Sequence, residues 1–305
     1  MDLNQTSPPP TSPTPETDGD DLCRFEVTDV AIDSVTLLIG LCGLVGNGAV
    51  LWLLGCRIRR NPITVYILNL AVADFTFLLF LLTSALLYMM DNVTCSTVVS
   101  SRYLSSLFLL SLFSYNMGLY LLTAISIERC VSILCPLWYR CRRPQRLSAM
   151  VCALLWVLSI TVIAMVTSLC LLHEHEHCRV ALISMYALNF LIFAPAMVIS
   201  NVILFIKVLC SSKRRQPKRL YIVIFLTVLF FLIFGVPLSI WNFLQQFGYS
   251  LVPTQVVFLL ACINSSINPF IYFLVGSCRR RCSLVSFQVA FRRVFEETGV
   301  TVIST

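Results

Sequence analysis

Charged residues are scarce in this chain. Asp, Glu, Lys and Arg together make up 12% of its 305 residues, whereas 58% are hydrophobic and the mean hydropathy is +0.85. A soluble domain typically carries about 25% charged residues, so a soluble globular protein is excluded. Seven apolar stretches are each long enough to cross a hydrocarbon core of about 30 Å. They lie near Val35–Leu54, Ile63–Met89, Tyr103–Val131, Leu147–Leu172, Val180–Leu209, Leu220–Leu244 and Val252–Val275.

Other missing residues exclude particular functions. The seventh apolar stretch, Val252–Val275, contains no lysine, which excludes a retinal protein with a Schiff-base lysine in that stretch. Asp74 is the one deep acidic residue, whereas a proton relay usually needs several, and no internal repeat typical of transporters is evident. No Ser/His/Asp grouping and no metal-ligand spacing occurs inside the bundle, so we expect no enzymatic activity and no metal. We also expect no cofactor and no nucleic-acid partner.

The predicted fold is all-α: a seven-transmembrane helix bundle with a short amphipathic cytoplasmic helix after helix seven. All but three of the 22 Lys and Arg residues lie on one side of the seven stretches. Short loops rich in Lys and Arg stay in the cytoplasm. We therefore predict a multi-pass plasma-membrane protein with its N-terminus outside, where Asn4 and Asn92 belong to glycosylation sequons.

The chain divides into three parts. Residues 1–32 form an extracellular tail that is polar and Pro-rich, so it is predicted to be disordered, and it lacks the features of a cleavable signal peptide. Residues 33–277 form the bundle. Within residues 278–305, Phe287, Phe291 and Val294 share one helical face, a pattern typical of an amphipathic helix on the inner leaflet. Membrane lipids are therefore expected partners, and palmitoylation is expected at two nearby cysteines, Cys278 and Cys282.

The cysteines divide by compartment. Four of the 14 fall on the predicted outer side: Cys23, Cys95, Cys170 and Cys178. Four cysteines allow three pairings. Cys170 and Cys178 flank a very short loop and can bridge if the ends of helices four and five approach each other, the alternative being free thiols. Glu174 and Glu176 alternate with three histidines in this loop, which suggests a metal site, but a solvated polar loop is the favoured interpretation.

Polar side chains inside the membrane spans are candidate functional residues. Asp74 lies at mid-depth in helix two. Asn264 and Asn268 are four residues apart and therefore share a face of helix seven. With Asn47 and Ser265, these residues can form a buried network that holds water or an ion.

Prolines predict bends in three helices. Pro237 in helix six and Pro269 in helix seven each remove a backbone hydrogen bond, which favours a kink that can act as a hinge. Pro195 can do the same in helix five, although transmembrane prolines are often only static bends.

Glu128 and Arg129 are adjacent near the end of helix three. Arg129 follows Tyr103 by about 26 residues, or about 39 Å of helix, which places it at the cytoplasmic boundary. Glu128 can neutralise Arg129 locally and leave a cation where a cytoplasmic partner would dock. The alternative is that Arg129 only extends to lipid headgroups.

Together these residues resemble a rhodopsin-like (class A) G-protein-coupled receptor. The resemblance runs from about residue 30 to residue 295 and rests on five motifs in the family's order. The motifs are Gly46-Asn47-Gly48-Ala49-Val50, Leu70-Ala71-Val72-Ala73-Asp74, Glu128-Arg129-Cys130, Trp156 and Asn268-Pro269-Phe270-Ile271-Tyr272. Finer features are similar to the Mas-related subfamily. Gly235 stands two residues before Pro237, where most of class A has tryptophan, and no cysteine occurs from Arg102 to Ser105.

The resemblance implies a receptor that activates heterotrimeric G proteins. It implies that Arg129 contacts Gα when helix six swings outward and that Tyr272 rotates inward in that state. It also implies that Phe231, which lies six residues before Pro237, changes its packing. Gly235 implies that the family's tryptophan switch does not operate in its usual form. Because helix six contains no acidic partner for Arg129, we expect ligand-independent signalling.

Two further expectations come from the resemblance. The resemblance implies that Asp74 and Asn268 hold water or sodium, although Gly118 stands where the family carries a serine. Cys170 and Cys178 resemble the subfamily's substitute disulfide between helices four and five.

The ligand expected from charge and resemblance is a basic peptide or a small cationic molecule. Eleven of the 15 acidic residues lie on the predicted outer side, and such a field concentrates cations. Six residues are expected to contact the ligand: Asp91, Tyr103, Glu174, Glu176, Tyr186 and Trp241. The subfamily favours Gq/11 over Gi. The alternative function is a non-signalling scaffold or trafficking receptor, or a transporter.

Overall fold

The computed structural model describes residues 27–58, 61–94, 101–172, 175–210, 218–249, 252–277 and 287–295. Within these residues, seven helices are long and apolar enough to cross a membrane. They are Thr28–Arg57, Pro62–Met90, Tyr103–Leu134, Leu147–Cys170, Glu176–Lys207, Arg219–Gln245 and Thr254–Ser277, called helices one to seven below. A short helix, Phe287–Phe295, follows helix seven and is called the terminal helix. The predicted fold class is confirmed.

Most helices extend beyond the apolar stretches that predicted them, but helix four matches its stretch and helix seven begins two residues later, at Thr254. The α-helices of the bundle are Val27–Trp52, Pro62–Thr94, Ser101–Leu134, Leu147–Leu172, His175–Leu188, Ala194–Cys210, Lys218–Phe230, Val236–Gln245 and Thr254–Ser277. Residues 27–32, assigned from the sequence to the end of the tail, are therefore helical. A helix continues past the apolar core because its backbone hydrogen bonds do not depend on apolar side chains.

Three π-helical turns interrupt the described helices, at Leu53–Arg57, Asn189–Phe193 and Phe231–Gly235. Two of them lie directly before a proline, Pro195 or Pro237, whose missing N–H removes one i→i−4 bond and favours a local change of winding. Helix seven stays α-helical through Pro269. The prolines of helices five and six thus coincide with rewound turns, whereas the proline of helix seven does not.

Helix three is the most buried of the seven spanning helices and helix four the least. Helix three carries several polar residues that face the bundle interior, whereas helix four exposes large apolar side chains such as Leu154 and Val157. Trp156 anchors helix four to helix two, since its Nε1 donates to Asn69 Oδ1 at 2.8 Å. The exposed apolar side chains are those expected to face lipid.

The terminal helix packs against the bundle. Phe291 and Phe295 are fully buried and approach the Tyr272 ring edge to face at 5.8 and 5.7 Å. A Cβ on Gly276 would collide with the backbone of Ala290, so glycine permits the close approach of helix seven. The predicted amphipathic helix is present, but its apolar face packs mainly against protein rather than lipid.

A disulfide joins Cys170 to Cys178, as the resemblance implied, and connects the end of helix four to the start of helix five. We call this end of the bundle the disulfide end and the opposite end the Arg129 end. Several predicted sites lie outside the described residues: Asn4, Cys23, Cys95, Glu174, Cys278 and Cys282, together with the side chains of Asp91 and Asn92.

Removing the disulfide by Cys170→Ser/Cys178→Ser should destabilise the bundle. Closing a loop of this length is worth about 2–3 kcal/mol in the chain-entropy account. We expect a lower melting temperature for the purified protein in nanodiscs. The control Cys135→Ser/Cys141→Ser replaces two exposed, unpaired cysteines at the Arg129 end and should leave the melting temperature unchanged. Equal melting temperatures for both double variants would contradict a structural role for the bond.

Candidate functional site

At the Arg129 end, helix three ends in a buried charged pair. Glu128 exposes 8% of its surface and Arg129 exposes 6%, so the Arg129 guanidinium does not extend into solvent. Glu128 Oε1 lies 2.8 Å from Arg143 Nη2 but 3.5 Å from Arg129 Nη2. The closer ionic partner of Glu128 is therefore Arg143, and the local neutralisation of Arg129 predicted from the sequence is only partial.

Tyr139 completes this arrangement. A short helix, Pro136–Cys141, carries it directly after helix three, and proline suits the first turn because it needs no helical N–H partner there. The Tyr139 hydroxyl donates to Glu128 Oε1 at 2.8 Å and accepts from Arg129 Nη2 at 3.0 Å. Burial raises the pKa of Tyr139, which keeps the hydroxyl proton available for donation. We call Glu128, Arg129, Tyr139 and Arg143 the Arg129 cluster.

The Arg129 cluster ties helix three to the chain that follows it. Arg143 also donates to the Ser148 hydroxyl at the start of helix four, and both guanidinium groups lie over the Tyr139 ring, at 5.7 Å for Arg129 and 5.1 Å for Arg143. Two arginines share one carboxylate, so the cluster keeps a net positive charge. None of its members belongs to helix six, which contains no acidic residue.

Tyr139 and Arg143 were not assigned to this site from the sequence. Arg143 contributed only to the charge count that predicted orientation. The available signal was their spacing of four residues in the segment just after helix three, although Arg143 lies beyond Cys141, where the short helix ends. That spacing alone does not identify Glu128 as the partner, because the chain must first turn back on helix three.

The predicted buried network is assembled mainly around helix seven. Asn268 Nδ2 donates to Asp74 Oδ2 at 2.8 Å. Asn47 Nδ2 donates to the Ser265 carbonyl at 2.9 Å. This carbonyl lies four residues before Pro269, whose ring nitrogen cannot donate, so Asn47 replaces the missing helical partner. Asp74, Asn268, Asn47 and Ser265 thus join helices one, two and seven.

Asn264, also predicted to belong to the buried network, makes a different contact from Asp74, Asn268 and Asn47. It faces helix six, where a Cβ on Gly235 would lie 3.4 Å from Asn264 Nδ2. Within the described residues, no group of three or more His, Cys, Asp and Glu side chains could hold a metal ion. The Asp74 network offers one carboxylate and neutral amides, a donor set suited to water or a monovalent cation.

Gly235 permits close packing at the π-helical turn of helix six. A Cβ at this position would lie 2.9 Å from Phe231 Cδ2 and 3.0 Å from Phe231 Cε2. The Phe231 ring stacks on Tyr115 of helix three at 5.7 Å. The Tyr115 hydroxyl donates to the Gly235 carbonyl at 3.0 Å and accepts from Ser239 Oγ at 2.8 Å. Tyr115, which sequence reasoning missed, therefore links helix three to the turn before Pro237.

The residues predicted to contact a ligand do not converge on one cavity. Tyr186 is buried, Tyr103 is exposed, and Glu176 pairs with Arg179 at 3.3 Å on the surface. Trp241 Nε1 donates to the Val252 carbonyl. A cavity of about 350 Å³ opens at this disulfide end, and none of these four predicted residues lines it.

Gly235→Ala should destabilise the bundle, because overpacking a filled core costs about 1–3 kcal/mol. We expect a lower melting temperature in nanodiscs. Gly118→Ala is the matched control: its Cβ would meet no heavy atom within 4 Å, and alanine favours a helix interior over glycine. The control should keep or raise the melting temperature, and an equal fall in both variants would contradict the Phe231 contact as the cause.

Comparisons with known proteins agree with this geometry. Residues 46–272 match the family described as 7 transmembrane receptor (rhodopsin family). The chain is 41% identical over 273 residues to Proto-oncogene Mas of Rattus norvegicus, covering 86% of this chain and 83% of that protein. It is 42% identical over 282 residues to Mas-related G-protein coupled receptor member H of the same species, covering 90% and 86%.

A third relative, Mas-related G-protein coupled receptor member A6 of Mus musculus, is 35% identical over 290 residues, which cover 91% of this chain and 93% of that protein. The family match, over residues 46–272, spans the positions of the Asp74 network, the Arg129 cluster and the Gly235 turn. The chain belongs to the rhodopsin family of seven-transmembrane receptors and, within it, to the Mas-related G-protein-coupled receptors.

Proposed function

We propose that this receptor senses an extracellular basic peptide or small cationic molecule and activates heterotrimeric G proteins, Gq/11 in preference to Gi. Family membership supports a multi-pass plasma-membrane receptor that responds to an extracellular ligand and signals through G proteins, rather than an enzyme. The excess of acidic residues on the disulfide side supports a cationic ligand. The preference for Gq/11 rests on the resemblance to the subfamily.

The Arg129 end is proposed to face the cytoplasm, with the N-terminus outside. The support is the distribution of Lys and Arg, nearly all of which lie on the Arg129 side of the spanning helices. In this orientation, the Arg129 cluster lies at the inner mouth of the bundle. Asn4 and Asn92 are then placed where glycosylation occurs.

The Arg129 cluster carries the coupling proposal. Arg129 is buried and positively charged, and its hydrogen bonds to Glu128 and Tyr139 are made within helix three and the short helix that follows. Outward movement of helix six therefore breaks no ion pair between an acidic residue of that helix and Arg129. The absence of such an ion pair removes one cost of exposing the guanidinium to Gα, which supports basal activity.

The remaining coupling residues have proposed roles that follow from their contacts. Tyr272 holds the terminal helix through Phe291 and Phe295, so its inward rotation would release that contact. Phe231, Gly235 and Pro237 form the turn on which helix six would bend. The Asp74 network is proposed to hold water or sodium while helix seven moves.

Arg129→Ala should abolish coupling. We expect nucleotide exchange on Gαq with wild-type receptor in nanodiscs to exceed that with empty nanodiscs, and Arg129→Ala to return it to the empty-disc rate. Arg146→Ala is the matched control, since Arg146 is an exposed arginine on the same side of the bundle. Gαi should respond less than Gαq.

An unchanged exchange rate in Arg129→Ala would contradict the coupling role. A wild-type rate equal to that of empty discs would contradict basal activity. If a panel of basic peptides also leaves exchange at the empty-disc rate with every Gα class, the alternative of a non-signalling scaffold or trafficking receptor is supported instead.

Tyr139→Phe should raise basal exchange. The substitution removes the hydroxyl that holds both Arg129 and Glu128, and a hydrogen bond to a charged group contributes about 1.5–3 kcal/mol. Release of the guanidinium should increase exchange by about tenfold, the factor that corresponds to about 1.4 kcal/mol. Tyr249→Phe, at an exposed tyrosine on the disulfide end, should leave the rate unchanged. A fall in basal exchange for Tyr139→Phe at equal receptor amount would show that Tyr139 supports the active state instead.

A further inference from the structure

The cavity at the disulfide end lies between helices one, two, three and seven. Its volume of about 350 Å³ falls within the range of about 300–1,000 Å³ typical of small-molecule sites. Helix one contributes Asp33 and helix two Tyr88, while Phe108 of helix three and Phe258 of helix seven add aromatic walls. The described lining residues include no Lys, Arg or His.

Asp33 has an unusual environment for a carboxylate. It exposes only 7% of its surface, and its Oδ2 has no hydrogen-bond partner among the described residues. The other buried acidic residues have partners: Asp74 accepts from Asn268, and Glu128 accepts from Tyr139 and Arg143. A buried carboxylate without a partner is costly, so buried charges are normally paired.

The neighbouring residues favour a cation as that partner. Asp29 lies one helical turn before Asp33 and adds a second negative charge on the same side of helix one. The aromatic rings of Tyr88, Phe108 and Phe258 can contact the apolar part of a ligand or the face of a cationic group. The cavity thus combines one unpaired acidic group with a mostly apolar wall.

We propose that this Asp33 cavity binds an ammonium or guanidinium group carried on a short apolar or aromatic arm, with Asp33 as its counter-ion. The proposal rests on the proposed function and specifies where the cationic part of the ligand is recognised. Asp33 is not among the residues that sequence reasoning assigned to ligand contact, because there it contributed only to the overall acidic charge. A basic side chain of a peptide and a small arylalkyl cation both present the required group.

The chain's own Arg24 is the competing partner, since it is the basic residue nearest to Asp33 in the sequence. An internal Arg24–Asp33 pair would stabilise the receptor without any ligand. Arg24→Gln and Asp33→Asn would then each lower the melting temperature, and the double variant would show no further decrease. A ligand site predicts a different result: removing the unpaired charge of Asp33 leaves the melting temperature of the ligand-free receptor unchanged or higher.

The test uses the full-length receptor in nanodiscs without G protein, with 2-phenylethylguanidinium as the cationic probe and 2-phenylethylurea as its neutral counterpart. Binding is measured by calorimetry and by the shift in melting temperature. The cation should bind wild type and raise the melting temperature, whereas the urea should not. Asp33→Asn should weaken binding of the cation by about tenfold or more, as expected when one partner of a buried charge pair is removed.

Asp29→Asn is the matched control, because it removes the same charge from the same helix but does not line the cavity. It should change affinity by less than about threefold, because Asp29 does not line the cavity and a charge pair outside a buried site contributes little. Arg24→Gln should keep or increase affinity. Equal affinity of the cation for wild type and Asp33→Asn, equal binding of the urea, or the stability pattern of an internal pair would each overturn the proposal.

Failure of this site and failure of the proposed function give different results. If the cation binds through Asp33 but no Gα class responds to it or to basic peptides, the site stands and the signalling proposal fails. A different result is that basic peptides stimulate exchange equally in wild type and Asp33→Asn, and that the cationic probe binds both with equal affinity. In that case the receptor function stands and this inference is overturned.

Discussion

Each polar group inside this bundle must find a partner within the protein, because lipid offers neither donors nor acceptors. The Asn47 amide illustrates the consequence, since it donates to the Ser265 carbonyl that Pro269 leaves without a helical partner. Tyr115 likewise donates to a backbone carbonyl, that of Gly235, at the π-helical turn of helix six. In both cases a side chain of another helix donates to a backbone carbonyl, so backbone hydrogen bonding and helix packing depend on each other.

The same constraint explains the different behaviour of the acidic residues. Glu128 is stable when buried because two arginines and a tyrosine surround it, and Asp74 is stabilised by an asparagine amide. Asp33 is buried without such a partner among the described residues. Glu128 is thus paired at the Arg129 end, whereas Asp33 at the disulfide end is the residue for which we propose a cationic ligand. The two ends thus differ in charge, with an acidic residue in the cavity at one end and a cluster of net positive charge at the other.

Conformational changes at the two ends would be coupled through helices three, six and seven. Tyr115 and Phe231 connect helix three to the turn of helix six that contains Gly235, and the Asp74–Asn268 bond connects helix two to helix seven. Arg129 is held from its own helix and from the segment that follows, so helix six remains free of acidic contacts to it. The hydrogen bonds described for Arg129 come from Glu128 and Tyr139, and Arg143 acts on it only through Glu128.

Several features of this protein follow from the sequence alone because they are local. Apolar runs of sufficient length specify seven spanning helices, and the spacing of Phe291 and Val294 specifies the terminal helix. The motifs around Asp74 and Asn268 assign both residues to one buried network through family resemblance. Other features were decided only by tertiary structure: Tyr139 and Arg143 as partners of Glu128, the contact of Phe231 with Gly235, and the position of Asp33 in a cavity. Each of these depends on which face of one helix meets another helix or loop, and hydropathy patterns in a nearly uniformly apolar chain do not specify those faces.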